Sequence, residues 1–125
     1  MLICCVIALL FCITGNAKVP YIPKIINYSV SDYKAGNQNW AVSQGPGGKM
    51  YIGNNRGLLV FDGIHWDLVK LPNNLGVRAL YISKDGRIYV GSFEEFGYFE
   101  MDDENDLIYH SLSSSEMNVY LNNDE

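Results

Sequence analysis

Apolar residues along this chain come in short bursts, and the bursts are separated by turn chemistry. Eight stretches rich in Tyr, Ile, Val, Leu and Phe stand between Asn39 and Leu112: 39–44, 49–54, 57–62, 65–70, 77–83, 87–92, 96–101 and 107–112. These residue types suit a pleated, packed surface, so each stretch is predicted to be a β-strand. The breaks contain Gly45-Pro46-Gly47-Gly48, Asn54-Asn55-Arg56-Gly57, Asp62-Gly63 and Asp85-Gly86, residues that favour tight turns for backbone reasons. Nowhere does a stretch of ten or more residues carry a 3.6-residue apolar period with helix caps. Leu58-Leu59-Val60-Phe61 is apolar without alternation, which predicts a strand covered on both faces, as when one sheet lies between two others.

The pattern repeats. Sliding the sequence by 38 positions lays 41–62 on 79–100 without a gap. Five positions are identical (Ala41/Ala79, Gly48/Gly86, Tyr51/Tyr89, Gly53/Gly91, Phe61/Phe99), and Lys49/Arg87, Met50/Ile88, Ile52/Val90 and Asp62/Glu100 match in kind. A four-stranded unit of roughly 40 residues in tandem is the pattern of a β-propeller blade. The expectation is an all-β fold: an incomplete β-propeller of two four-stranded antiparallel blades. Residues 18–38 are expected to be an extended N-terminal segment, 39–76 the first blade, 77–116 the second, and 117–125 the start of a third. Propellers close with about 4–8 blades, so the chain reads as a fragment of a larger ring. The remaining blades of the parent are its first expected partner. An uncovered blade face and open sheet edges would leave the isolated fragment marginal or prone to aggregate.

Composition narrows the function classes. Residues 1–17 contain all three cysteines (Cys4, Cys5, Cys12) and no Asp, Glu, Lys or Arg. The apolar run Leu2–Ile13 is too short to cross a bilayer, which needs about 20 residues. It fits a secretory signal peptide cut after Ala17, with Gly15 and Ala17 as the small residues. The mature part then has no cysteine, which excludes a disulfide scaffold or a thiolate zinc site. A net charge of -5 disfavours a nucleic-acid contact.

The strings Tyr33–Trp40, Gly53–Gly63 and Asp85-Gly86-Arg87-Ile88-Tyr89-Val90-Gly91-Ser92 resemble the two-component-regulator propeller repeats of the sensor regions of Bacteroidetes regulators. The resemblance spans roughly Pro20 to Leu112. Its core, Asp-Gly-x-Ile-Tyr/Trp-Val-Gly, is complete only in the second copy, because Gly47 stands in place of the Asp in the first. The resemblance implies a periplasmic, inner-membrane-anchored parent, expected as a homodimer. Its output would be a hybrid histidine kinase or a LuxR-type helix-turn-helix, contacting the membrane only through parts downstream. It implies detection of an extracytoplasmic signal, often a glycan fragment. The alternative is an exported interaction module without signalling output. A membrane helix followed by kinase or helix-turn-helix sequence beyond Glu125 separates the two.

Within the chain no catalytic residue, metal or cofactor is expected. His65 and His110 have no metal-ligand spacing and are expected to be structural. Asp102, Glu104 and Asp106 alternate as in a calcium loop, but Leu107 stands where that loop needs Gly, so a solvated hairpin tip is expected. No nucleophile–base motif and no phosphate-binding Gly-rich loop is present. A ligand is expected on the face where the second-to-third-strand loops meet the loops between blades. The residues predicted there are Asn54, Asn55, Arg56, Arg78, Phe93 and Glu94, for a carbohydrate or another small periplasmic ligand. Arg78 has a second reading, as a tie between neighbouring blades. Trp40 and Trp66 are read as packing residues.

Overall fold

The computed structural model describes residues 20–113. The expected signal peptide (1–17) and the expected third-blade start (117–125) lie outside the described residues. The described chain forms one helical turn, α1 (Val30–Tyr33), and eight strands: β1 (Asn39–Gln44), β2 (Met50–Asn54), β3 (Gly57–Phe61), β4 (Trp66–Val69), β5 (Ala79–Ile82), β6 (Ile88–Gly91), β7 (Phe96–Met101) and β8 (Leu107–Ser111). They make two four-stranded sheets, β1-β2-β3-β4 and β5-β6-β7-β8. Every neighbouring pair is antiparallel. These are two successive propeller blades, and β1 and β7 have the bounds predicted from sequence.

The 38-residue repeat is also a repeat of register. Met50 pairs with Phe61 in the first sheet, and their counterparts Ile88 and Phe99 pair in the second. Tyr51–Val60 is likewise matched by Tyr89–Tyr98. Because side chains alternate across a strand, each blade has two distinct faces, and the blades pack head to tail. Tyr51, Leu58 and Val60 of the first blade meet Ile88, Val90 and Phe99 of the second, with Leu71 and Val77 from the connection closing the layer. Burying each such side chain contributes about 1.5–3 kcal/mol. The same burial pushes the Tyr51 hydroxyl's pKa up, since a charged phenolate is disfavoured away from water.

Two expectations are corrected. The segment 18–38 is not extended throughout. The Ser29 backbone N–H donates to the Asp32 carboxylate at 2.6 Å, and a capping box starts the turn Val30–Tyr33. Strand β3 is covered on both faces as predicted, but the outer cover is not a second sheet. Leu59 is buried against Tyr33 and Ala35, with Ile52, Trp66 and Leu68 beside them. Trp66 packs as expected, stacked on Phe61 at 4.3 Å and edge-on to Tyr28 at 5.2 Å. The first blade's outer face is thus partly covered by the N-terminal segment. The second blade's outer face carries a row of rings across all four strands, Tyr81, Tyr89, Tyr98 and His110, with neighbouring centroids 4.9–6.3 Å apart.

Turn residues adopt the conformations that their sequence requires. Gly57 has φ +138° in the β2–β3 turn, and a Cβ there would lie 2.4 Å from the Val69 carbonyl oxygen. Only glycine fits both constraints. His65 falls just before β4 rather than within it. Asp62 accepts from the His65 and Ile64 backbone N–H groups at 2.7 and 2.8 Å. Those two bonds hold its carboxyl down at about 2. At the β7–β8 tip, Asp102 accepts from the Glu104 and Asp106 N–H groups, so its side chain organises the turn.

Candidate functional site

The β2–β3 and β6–β7 turns, the connection between blades and the end of the N-terminal segment all meet at one end of the stack, the end predicted to bind a ligand. Asn54 is the centre of this arrangement. It is 0% exposed, and its amide is saturated. Its oxygen accepts from the Gly36 and Arg56 backbone N–H groups at 2.9 and 3.0 Å. Its nitrogen donates to the Gly36 carbonyl and the Asn39 side chain at 2.8 and 2.7 Å. With two donors and two acceptor positions used, nothing is left for a ligand. The expectation that Asn54 contacts a ligand is therefore corrected: it clasps the N-terminal segment to the β2–β3 turn.

The backbone around Asn54 extends the clasp in two directions. The Val77 N–H donates to the Asn54 carbonyl at 2.9 Å, and the Asn55 N–H donates to the Gln38 carbonyl at 3.1 Å. Gly76 runs so close to Asn55 that a Cβ there would lie 2.8 Å from the Asn55 backbone. This close approach fixes the connection between blades against the first blade.

Above the clasp lies a groove of about 370 Å³, lined by Gln38, Trp40, Asn55, Asn74, Leu75, Gly76, Arg78, Ser92 and Phe93. Three of the predicted residues, Asn55, Arg78 and Phe93, come together here. Arg56 and Glu94 lie on the same two turns but outside the lining, both exposed. Arg78 crosses the blade boundary: its guanidinium sits 5.3 Å from the centroid of the Trp40 ring, and its backbone N–H donates to the Gly91 carbonyl at 2.8 Å. Trp40 is 49% exposed and Phe93 63% exposed, so two aromatic surfaces face solvent beside amides, a hydroxyl and a cation. Sequence reasoning missed Trp40, Gln38 and Asn74. Trp40 lies within the register shift between Asn39 and Ala41 at the start of β1, a feature that its sequence does not announce.

Residues 70–94 match the family model described as "Two component regulator propeller". Over that stretch the chain is similar to a two component regulator propeller repeat. The matched stretch runs from the end of the first blade, through the connection between blades and the β5–β6 hairpin, to the turn bearing Phe93. Asn74, Arg78 and Phe93 all fall within the stretch matched by the two component regulator propeller model. Comparison with curated proteins and with solved structures gives no match.

A larger groove of about 690 Å³ opens at the opposite end, lined in part by Lys49, Tyr51, Asp85, Arg87, Glu100 and Met101. Arg87 there is neutralised, 3.8 Å from Asp85 and 3.3 Å from Glu100. His110 also reaches Glu100, at 3.1 Å. Those charges answer each other across the turns.

Next to the candidate groove, Glu95 anchors the end of the second blade. It accepts from the hydroxyls of Tyr109 (2.7 Å), Ser111 (2.6 Å) and Ser113 (2.6 Å). Burial alone would raise its carboxyl, but the Ser111, Ser113 and Tyr109 bonds outweigh it and hold the group below its ordinary value of 4.5. Burial and the same contact push the Tyr109 phenol up. A carboxyl depressed in the folded state stabilises the fold above its unfolded value, and that stabilisation is lost as pH falls through the lowered one. The melting temperature should therefore fall more steeply below about pH 4.5 for the parent than for Glu95→Gln. Thermal melts across that range check this, and parallel curves for the two proteins would refute it.

Proposed function

We propose that the chain is a sensing segment: an extracytoplasmic propeller portion of a membrane-anchored regulator that binds a saccharide in the groove between its blades. The observation that carries this reading is that the two component regulator propeller match falls on the stretch holding Arg78, Asn74 and Phe93. These residues line a groove with two exposed ring surfaces. A sugar ring offers an apolar C–H face to stack on aromatic side chains and hydroxyls to pair with amides. Trp40 and Phe93 supply the first kind of partner, and Gln38, Asn55 and Asn74 the second. The groove is open rather than enclosed, which suits a polar ligand that keeps part of its hydration. On this reading the segment works by recognition, and the regulatory output belongs to its parent.

The test is a titration of the protein with a panel of plant, host and microbial oligosaccharides, read by calorimetry. At least one should bind, and Trp40→Ala should weaken it by about tenfold, the scale of losing one buried aromatic contact. A panel with no binder, together with retention of a protein partner on the same face, would establish the alternative of an exported interaction module.

A further inference from the structure

We infer that the saccharide taken by this groove is anionic, its carboxylate or sulfate paired with Arg78. This inference rests on the sensing role proposed above and adds the ligand's charge to it. The reason lies in a contrast between two arginines in the same posture. Arg87 lies 5.0 Å from the Tyr98 ring centroid and is held by two carboxylates. Arg78 lies 5.3 Å from the Trp40 ring centroid. Among the described residues no carboxylate comes within ion-pair distance of it. In a chain of net charge -5, an arginine without an acidic partner at the wall of a groove is an available cation.

Its placement is also defined. The backbone N–H is tied to the Gly91 carbonyl, and the guanidinium lies over the ring of Trp40. A guanidinium over an aromatic face keeps N–H edges available, and those edges match a carboxylate or a sulfate with two parallel bonds. The other polar side chains of the groove, Gln38, Asn55, Asn74 and Ser92, carry no charge and can meet hydroxyls. One cation among neutral hydrogen-bonding groups is the complement of a sugar ring bearing one anionic substituent.

Matched saccharides test this. Each ring is offered in three forms: a free uronic acid, a sulfate ester, and a neutral form (the methyl-esterified or unsulfated sugar). Binding to the protein is measured by calorimetry at low salt. The expected result is that an acidic member binds about tenfold or more tighter than its neutral twin, the scale of a charge-assisted hydrogen-bonded pair. Arg78→Gln should remove most of that preference and Arg78→Lys should keep part of it, with melting temperatures measured alongside to show that both variants are folded. Preference for the uronate or for the sulfate identifies which oxyanion is recognised. Equal binding of neutral and acidic twins, or equal losses on both in Arg78→Gln, would overturn the inference while leaving saccharide sensing intact. No binding by any member would remove the sensing reading, and the inference with it.

Discussion

Phe99→Ala is expected to destabilise the protein by about 3–5 kcal/mol, the range for deleting a buried aromatic ring from a packed core. Phe99 is 0% exposed and, among the described residues, the largest fully buried side chain. It stands in the layer between the blades, with Tyr51, Leu58, Val60, Ile88 and Val90 in the same cluster, and with the Tyr109 ring centroid 5.0 Å away. The repeat supplies an internal control. Phe61 holds the same position in the first blade, but its face is turned outward, where Tyr28 and Trp66 cover it only in part. Phe61→Ala should cost clearly less. Urea denaturation of the two variants against the parent checks both values, and equal losses would mean that the two faces are not distinguished by packing as described.

That comparison also shows what the sequence could and could not disclose. The strands and their tandem order were legible because period and turn residues are local properties: Gly57, Gly86 and the Asp62-Gly63 turn announce themselves. The resemblance carried by Asp85–Ser92 pointed to the same fold. What was not legible was which member of a repeated pair is buried. Phe61 and Phe99 are identical in kind and register, and only the neighbour that arrives from elsewhere in the chain separates them. The one-turn helix at Val30–Tyr33 was hidden for another reason. Four residues are too few to show an apolar period, although Ser29 and Asp32 had the capping spacing. At the candidate site, the meeting of Asn55, Arg78 and Phe93 in one groove was foreseeable because their loops share an end of the stack. Asn54 was assigned to a ligand because its residue type does not reveal whether its amide is already occupied. Trp40 reads as a packing residue because its half-exposure follows from the register shift between Asn39 and Ala41, not from the residue type.

Asn54→Ala is the second large effect. It strips the partners from the Gly36 N–H and carbonyl, the Asn39 side chain and the Arg56 N–H. A buried polar group left without a partner costs about 1–3 kcal/mol. Gly36 is half-buried and water can reach Asn39, so the sum should be about 2–4 kcal/mol rather than the full total of four bonds. Asn54→Asp keeps both acceptors and loses both donors, which places a carboxylate against the Gly36 carbonyl. Its stability should not recover to the parent's. Urea midpoints with unchanged slopes would measure the loss. A variant as stable as the parent would show that the clasp contributes nothing.

The same clasp governs how recognition in the groove would proceed. One turn, Asn54–Asn55, is joined to Gly36 and Gln38 on one side and to Val77 on the other, and Gly76 is pressed against it. Two walls of the groove, the N-terminal segment and the connection between blades, share this pivot and cannot part from one another without breaking it. On those two sides a ligand meets a cleft already shaped in its absence, so ordering of the backbone there adds little to the entropic cost of association.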